Sequence, residues 1–402
     1  MTKEGDTRMH NITSEAWVLH AGGPNEGPGK LVKEPFSFRE ITEHEALVEP
    51  IYGSWEGNMT HAIKRDPVDI CRLRKEAKVV IGNSGVVRIL RVGSAVTSVK
   101  AGDLGIVFAG LWDEHGFLTL GNTYAYDAPG TIGMLTKRSK LRENQILPLP
   151  KNTRHSLPTW AVFSLRYLTA YNNWNLAYQC FRSQMSEQDC PVPWVWGWGG
   201  GSTLAELELA RIAGCKTAMM SSIPERLRYI EGRGILPIDR RQFPNLNYNE
   251  EQYRSDPAFK KAYDESERIF LKLVEEHTQG QGVSIFVDYI GAPVSVATQR
   301  ALSRQGVLTT AGWKGGMKIT SIRALECINR HIHVHTHYAR YSDGLPAIAL
   351  AESTDWLPKI GDRVWSWDEI PALAEDYAAG RTTDYFPVYE VNSLRGSPDH
   401  VR

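Results

Sequence analysis

Four histidines alternate along one short segment, HIHVHTHYARY, at residues 331–341. They are His331, His333, His335 and His337. On a β-strand, the two-residue period would put all four imidazoles on one face, with neighbours about 7 Å apart. Two of them could share a zinc ion, but no nearby Cys, Asp or Glu completes a tetrahedral site. We therefore expect a strand whose histidines lie at a sheet edge or domain interface, and we expect no metal.

A second stretch with chemical potential is glycine-rich: VWGWGGGSTLAELELA, residues 195–210. It reads as a strand, a tight turn and a helix, the order in which backbone N–H groups approach a pyrophosphate at a helix N-terminus. The first two glycines of the G-x-G-x-x-G pattern are present, whereas Ser202 takes the third place. The alternative is a glycine-rich turn that binds no nucleotide. The predicted cofactor contacts here are Gly197, Gly199, Gly200, Gly201 and Ser202.

The end of the next predicted strand indicates which nucleotide binds. NAD sites usually carry an Asp or Glu there, which binds the ribose 2′-hydroxyl. This chain has Ser221 and Ser222, with Arg226 nearby. Hydroxyls and a guanidinium suit a 2′-phosphate, so NADPH is favoured over NADH; the alternative is that Ser221 caps a helix and Arg226 is solvated. Two further cofactor contacts are expected where a later strand ends, at Ala311 and Gly312.

The order of predicted elements divides the chain into two structural parts. Residues 15–150 are mainly short β-rich runs separated by turns, and RDPVDICRLRKEAK is the one helix-like piece among them. From residue 157 strands alternate with helices, which indicates βαβ units and a doubly wound parallel sheet. We place the first domain at 1–160, an α/β nucleotide-binding domain at 161–344 with a polar helical insertion near 240–280, and a segment that returns to the first domain at 345–402.

Composition excludes several classes of protein. The 46 basic and 46 acidic residues cancel, so no nucleic acid or anionic membrane partner is indicated. The five cysteines form no C-x-x-C pair, which argues against a disulfide framework and a Cys-rich zinc site. No apolar run approaches the roughly 20 residues of a membrane-spanning helix. The N-terminus has no signal-peptide core, so we expect a cytoplasmic protein.

With these motifs, nearly the whole chain resembles the medium-chain dehydrogenase/reductase superfamily. The resemblance implies a GroES-like β-barrel domain joined to a Rossmann domain. Zinc-dependent members carry a Cys after the second strand and Gly-His-Glu after the next helix. Here those places read IYGSWEG and VIGNSGVV, so Asn83 and Ser84 follow Gly82. The resemblance thus implies hydride transfer without zinc, and a zinc alcohol dehydrogenase is the least favoured interpretation.

Within the superfamily, the matches resemble the crotonyl-CoA carboxylase/reductases and related 2-enoyl-CoA reductases. THYARY is similar to a Ser-His-Phe-Ala-Asn-Tyr-like phrase of that branch, whose His falls on His337. YAYDAPG supplies an aromatic–acid pair, Tyr126 and Asp127, and EALVEPIYGSWEGN places the active-site amide at Asn58. LTAY resembles the entry helix that puts Thr169 near the nicotinamide. Each of these residues also has a purely structural reading as a turn, core or edge residue.

The resemblance implies a role for each of these side chains. Hydride transfer to Cβ of a 2-enoyl thioester leaves an enolate at Cα, which carboxylating relatives trap with CO2. Neutral donors for the CO2 oxygens are available from Asn58 and His337. Asp127 would orient the imidazole, and Tyr126 would exclude water.

The chain departs from this branch at three positions. Asp127 stands where Glu is expected and is one methylene shorter. Thr203 replaces the last glycine of the family's Gly-x-x-Gly-Gly-x-Gly turn, and Trp198 lies inside the turn. We expect the β-carbon of Thr203 to press on strand–helix packing or on the pyrophosphate.

The sequence therefore predicts a zinc-independent, NADPH-dependent reductase of a 2-enoyl thioester, with or without carboxylation. The carrier is CoA or an acyl carrier protein, and the superfamily implies a homo-oligomer, a dimer or tetramer. The alternatives are a non-carboxylating enoyl or quinone reductase, and a repurposed member with weak nucleotide binding. Weaker candidates for contacts with the CoA phosphates are Lys260, Lys261, Arg268 and Arg323, which could equally be solvated.

Overall fold

The computed structural model describes residues 11–23, 27–66, 68–108, 110–119, 128–311, 315, 318–336 and 340–394. His337, Tyr126, Asp127 and Gly312 lie outside these residues. The predicted α/β fold, with a β-rich part and a doubly wound part, is confirmed.

The first part of the chain is β-rich. One sheet has the strand order β2-β1-β4; a second contains β3-β5-β6-β8, with β7 also paired to β3, and all of these pairs are antiparallel. The elements are β1 (Asn11–His20), β2 (Leu31–Arg39), β3 (Glu45–Ser54), α1 (Gly57–Lys64), α2 (Ile70–Arg74), β4 (Lys78–Val80), β5 (Gly85–Val92), β6 (Leu104–Val107), β7 (Ser139–Arg142) and β8 (Ile146–Pro148).

The sequence did not predict helix α1, which directly follows β3. Its eight residues include Gly57, Asn58 and Thr60, all poor helix formers. Capping explains why it forms: the Glu56 carboxylate accepts a hydrogen bond from the Asn58 backbone N–H at 2.6 Å. The helix ends at Arg65, which adopts a left-handed conformation with φ 58°.

One long helical segment links the two parts. It consists of α3 (Leu157–Val162), a π-helical turn (Phe163–Tyr167) and α4 (Leu168–Gln184). Isolated π-helical turns occur often at functional sites because the extra residue re-aims the side chains around it. Here the turn contains Arg166, whose guanidinium is buried.

The second part is a six-stranded parallel sheet of order β11-β10-β9-β12-β13-β14. In chain order this is 3-2-1-4-5-6, the dinucleotide-binding arrangement. The sequence missed β11, a four-residue strand that contains a proline. The elements are β9 (Trp194–Trp198), α5 (Gly201–Ile212), β10 (Lys216–Ser221), α6 (Pro224–Gly232), β11 (Leu236–Asp239), α7 (Glu250–Ser255), α8 (Pro257–Thr278), β12 (Val283–Asp288), α9 (Ala292–Ala301), β13 (Leu302–Thr310) and β14 (His333–Thr336).

Alternate residues of β9 enter different cores. Trp196 and Trp198 pack with α8 and α9 on one face, whereas Val195 packs with α4 and α5 on the other. The polar insertion forms α7 and α8. Helix α8 is capped by Asp256, whose carboxylate accepts from the N–H groups of Ala258 and Phe259 at 2.9 and 3.1 Å.

The end of the chain joins the first part. It forms α10 (Gly344–Ser353), β15 (Val364–Trp365), α11 (Ile370–Ala378) and β16 (Val388–Glu390). Strand β16 pairs antiparallel with β3 and parallel with β15, so N-terminal and C-terminal strands share one sheet. No helix in the described ranges is long and apolar enough to span a membrane.

Candidate functional site

The glycine turn connects β9 to the N-terminus of α5. Gly199 has φ 144°, which side-chain-bearing residues rarely adopt. A Cβ at Gly199 would overlap the Thr203 hydroxyl, and one at Gly201 would overlap the Phe386 ring. A Cβ at Gly200, the N-cap of α5, would meet no protein atom within 4 Å. The turn is therefore closed towards the protein and open at Gly200, where the first N–H groups of α5 can bind an anion.

Thr203 does not disturb this turn, contrary to our expectation. Its side chain is fully buried, and its hydroxyl donates to the Trp198 carbonyl at 3.0 Å. Its methyl group lies where a Cβ at Gly197 would be, so the glycine of the strand makes room for the threonine of the helix. The additional volume is accommodated between β9 and α5, away from the open side at Gly200.

Trp198 does not obstruct the turn either. Its indole N–H donates to the Thr298 hydroxyl at 2.9 Å, and its ring stacks on Phe286 with centroids 5.9 Å apart. The side chain therefore fills the core on the α8–α9 face of the sheet.

The residues predicted to bind the 2′-phosphate of the nucleotide lie at and after the end of β10. Ser221 is buried and its hydroxyl accepts from the Ile223 N–H at 3.3 Å, whereas Ser222 is exposed. The Arg226 guanidinium donates to the carbonyls of Thr382 and Thr383, both at 3.1 Å, and of Asp384 at 3.4 Å. It also lies 4.8 Å from the centroid of the Tyr385 ring. A 2′-phosphate would thus have to compete with the C-terminal segment for Arg226, and its role in binding stays a prediction.

Helix α4 borders the carboxyl edge of the sheet. Thr169 is half-buried near its start, and Asn173 follows one turn later on the same face. The Asn173 side-chain oxygen accepts from the Thr309 hydroxyl at 2.9 Å, which ties α4 to the carboxyl end of β13. Half-buried Ala311 follows β13 directly, so Thr169 and Ala311 come from elements that are in contact.

The loop between β3 and α1 is anchored by a buried arginine. Arg166 donates to the Ser54 hydroxyl at 2.6 Å and to the Trp55 carbonyl. Its Cδ would lie 3.0 Å from a Cβ at Gly201, so it extends from the glycine turn to this loop. Asn58, the predicted amide, is half-buried in the first turn of α1, two residues after Glu56.

The sequence interpretation missed Glu56 and Arg166. Burial raises the pKa of Glu56 to about 7, although the Asn58 N–H and the Arg166 charge lower it. One carboxylate oxygen caps α1, and the other is buried without a hydrogen-bond partner among the residues described. A carboxyl that titrates near neutral pH therefore lies beside Asn58. The capping position of Glu56 before Gly57 was its only signal in the sequence.

The alternating histidines have separate structural partners. His331 precedes β14 in a left-handed conformation with φ 54° instead of lying on the strand. His333 hydrogen-bonds the Gln305 side chain at 2.9 Å, and His335 lies 3.8 Å from the Cys180 sulfur. Strand β14 is the edge of the six-stranded sheet, as predicted. In the described part of the chain, no three His, Cys, Asp or Glu side chains are grouped to hold a metal ion.

The IYGSWEG and VIGNSGVV segments, compared with zinc-ligand positions in the sequence analysis, lie together. The Ser84 hydroxyl donates to the Ser54 carbonyl at 2.9 Å, and the Ser54 hydroxyl donates to the Pro387 carbonyl at 3.1 Å. Asn83 is buried beside them, with its side-chain oxygen unpaired among the described residues. These positions supply hydroxyls and an amide.

Three of the weaker phosphate candidates are paired on exposed surfaces, and the fourth, Lys261, is exposed. Lys260 lies 3.6 Å from Asp264 and donates to the Tyr253 hydroxyl at 2.8 Å. Arg268 pairs with Glu265 at 2.7 Å, and Arg323 pairs with Glu326 at 2.6 Å. These contacts favour solvated helix faces over a dedicated CoA site.

Comparison with known proteins identifies the fold. No protein-family model and no curated protein matches the chain by sequence. Among solved structures, it is similar to the crotonyl-CoA carboxylase/reductase AntE in complex with NADP, with TM-score 0.79, 18% identity and 95% of each chain covered. The 2-octenoyl-CoA carboxylase reductase CinF in complex with NADP and 2-octenoyl-CoA gives TM-score 0.77 and 19% identity, over 94% of this chain and 87% of CinF.

An alcohol dehydrogenase from Aeropyrum pernix gives TM-score 0.73 and 18% identity, over 94% of this chain and 100% of the dehydrogenase. At such low sequence identities, structural similarity establishes the fold, and the reaction has to be inferred from the residues of the site. The chain thus shares its two-domain fold, a GroES-like barrel joined to a Rossmann domain, with crotonyl-CoA carboxylase/reductases and medium-chain alcohol dehydrogenases.

Proposed function

We propose that the chain is an NADPH-dependent reductase of 2-enoyl thioesters, with CoA as the preferred carrier. The observation that carries this proposal is the open N-terminus of α5 at Gly200, at the carboxyl edge of a 3-2-1-4-5-6 sheet. The similarity to NADP complexes of two enoyl-CoA carboxylase/reductases supports the same assignment. Metal analysis of the purified protein tests the accompanying proposal that no zinc takes part.

The residues at the turn fit a dinucleotide. The N–H groups of Gly201, Ser202 and Thr203 precede the first helical hydrogen bond of α5, which runs from the Leu204 N–H to the Gly200 carbonyl at 3.1 Å. They are available for a pyrophosphate, and the helix dipole favours its charge. In our proposal the half-buried Thr169 and Ala311 border the nicotinamide, and the exposed Ser222 binds the 2′-phosphate.

Bound NADPH would supply hydride to Cβ of the substrate, and the electron pair of the double bond would pass to Cα as an enolate. The enolate would then react at Cα with either a proton or CO2, and the residues around Cα determine which. In our proposal Asn58 and His337 donate hydrogen bonds to the CO2 oxygens, Asp127 orients His337, and Tyr126 shields the site from water.

Two other functions have specific support. Asp127, shorter than the Glu of carboxylating relatives, favours a reductase that protonates Cα. The three carbonyl contacts of Arg226 favour a repurposed member that binds nucleotide weakly. Millimolar NADPH without effect on the thermal unfolding midpoint would support the repurposed member over the reductase.

The expected activity is NADPH oxidation with crotonyl-CoA. It is measured with and without bicarbonate and carbonic anhydrase, and the product is weighed by mass spectrometry. A product heavier by one CO2 supports carboxylation, and reduction regardless of bicarbonate supports the protonating enzyme. NADPH oxidation with the acyl-carrier-protein thioester but not with crotonyl-CoA would show that the carrier is the acyl carrier protein.

Replacing Gly200 by alanine should weaken NADPH binding roughly tenfold or more, because the methyl group would occupy the space where the pyrophosphate approaches the backbone. The unfolding midpoint should stay unchanged, since the new Cβ meets no protein atom within 4 Å. Isothermal titration with NADPH measures the affinity. Gly232→Ala, which is also unhindered but lies at the end of α6, is the matched control. Equal affinity in Gly200→Ala and wild type would contradict a pyrophosphate at this turn.

A further inference from the structure

The chain order reverses between β9 and β12, which are neighbours in the sheet. Ligands of open α/β sheets bind in the crevice at the carboxyl ends of such strands. Tyr289 follows β12 at this crevice. Its backbone N–H donates to the Trp198 carbonyl at 3.1 Å, and its Cβ would lie 3.1 Å from a Cβ at Gly199. The half-buried Tyr289 side chain therefore adjoins the glycine turn.

A line of hydrogen bonds runs inwards from Tyr289. Its hydroxyl donates to the carboxyl of Glu206 at 3.2 Å, and the Asn173 amide donates to both Glu206 oxygens at 3.1 and 3.0 Å. Asn173 in turn accepts from the Thr309 hydroxyl at 2.9 Å. The network thus connects the ends of β12 and β13 through α5 and α4, and Thr169 is one turn from Asn173.

Glu206 differs from the other buried acid of α5. Glu208 is paired with the Arg233 guanidinium and accepts from the Tyr167 hydroxyl at 3.0 Å. Glu206 is fully buried, and its partners are an amide and a phenol. Burying a carboxyl without a cation costs free energy, and an apolar residue of similar volume would fill the same space without that cost. Because Glu206 lies beneath the crevice, its carboxyl can hold the residues that border the crevice in place.

We propose that Glu206 is a positioning residue of the dinucleotide site, which ties Tyr289 to Asn173 and so fixes the floor of the crevice beneath the ribose next to the nicotinamide. The inference rests on the proposed function for the identity of the nucleotide. Tyr289 contacts that ribose, and Glu206 acts through Tyr289 and Asn173.

The network has its own pH dependence. Burial raises the pKa of Glu206 to about 8, against smaller opposing effects of Asn173 and Tyr289. The facing groups are Asn173 on α4 and Tyr289 after β12; Glu208 on the same helix faces Tyr167 and Arg233. Burial also holds the pKa of Tyr289 well above its usual value, so the phenol stays protonated. Above about pH 8 Glu206 therefore adds a negative charge beneath an anionic cofactor.

The test is the NADPH dissociation constant from pH 6.5 to 9.5 in wild type, Glu206→Gln, Glu206→Leu and Tyr289→Phe. Wild-type affinity should fall about tenfold across this range, and Glu206→Gln should abolish that fall because its amide keeps the shape without the charge. Glu206→Leu should weaken binding about tenfold at every pH, because Tyr289 and Asn173 lose their partner. Tyr289→Phe should weaken binding several-fold.

Glu276→Gln, at an exposed position near the end of α8, is the control and should behave like wild type. Circular dichroism confirms that each variant is folded. Wild-type pH dependence in Glu206→Gln, or wild-type affinity in Glu206→Leu, overturns the inference while the proposed function stands. Binding with the expected pH pattern but without enoyl-thioester reduction supports the inference and rejects the proposed function. Absence of any NADPH binding to wild type rejects both.

Discussion

Replacing Arg166 by methionine should lower the free energy of unfolding by about 2–4 kcal/mol, because the buried Ser54 hydroxyl and Trp55 carbonyl lose a charged donor. Arg166 is 5% exposed, and its guanidinium donates to the Ser54 hydroxyl and the Trp55 carbonyl. Its charge also lowers the pKa of Glu56 against burial. Methionine would preserve much of the volume but would leave the Trp55 carbonyl without its donor and would raise the pKa of Glu56 further. Urea unfolding at pH 7.5 measures the loss, and activity should fall with it because the Asn58 loop is no longer anchored.

Two further variants identify the cause of that loss. Arg228→Met removes an exposed arginine, 72% accessible and paired with Glu225, and should change stability by less than about 0.5 kcal/mol. The double variant Arg166→Met/Glu56→Gln should be more stable than Arg166→Met alone, because the uncompensated carboxyl is gone. A double variant as unstable as the single one would show that lost packing, and not the charge of Glu56, accounts for the effect.

Glu206→Gln should stabilise the protein by an amount that grows with pH. The folded carboxyl has a pKa of about 8, well above the ordinary 4.5 of an exposed glutamate, so folding takes up a proton between these pH values. Wild-type stability therefore falls by about 1.4 kcal/mol per pH unit relative to the variant as pH rises through this window. Below the window both states are protonated, and above it the difference is constant. Urea unfolding of both proteins at pH 5.5, 6.5, 7.5 and 8.5 measures the trend. A difference that does not change with pH would mean that Glu206 is ionised in the folded protein.

Local sequence signals predicted the α/β half of the fold well. VWGWGGGSTLAELELA forms β9, the turn and α5, because the apolar run, the glycines and the helical period agree with one another. The missed elements lack such agreement. LPID is short and contains a proline, and GNMTHAIK contains poor helix formers that form α1 only with the Glu56 cap.

The candidate site was predicted only in part. The sequence alone indicates the glycine turn, because glycines between a strand and a helix are a local signal, whereas Arg166 and Glu206 look like solvated residues of amphipathic helices. Their partners are far away in the chain: Ser54 is 112 residues from Arg166, and Asn173 is 33 residues from Glu206. Thr203 was misjudged for the same reason, because the space it occupies is provided by Gly197 on the adjacent strand.

The most direct test of the proposed reductase uses NADPH deuterated at C4 on one face or the other, with crotonyl-CoA and bicarbonate. We predict that one of the two labelled cofactors delivers a single deuterium to Cβ of the product, located by tandem mass spectrometry, while the other delivers none. Absence of NADPH consumption with CoA and acyl-carrier-protein thioesters of several chain lengths would contradict the proposed function.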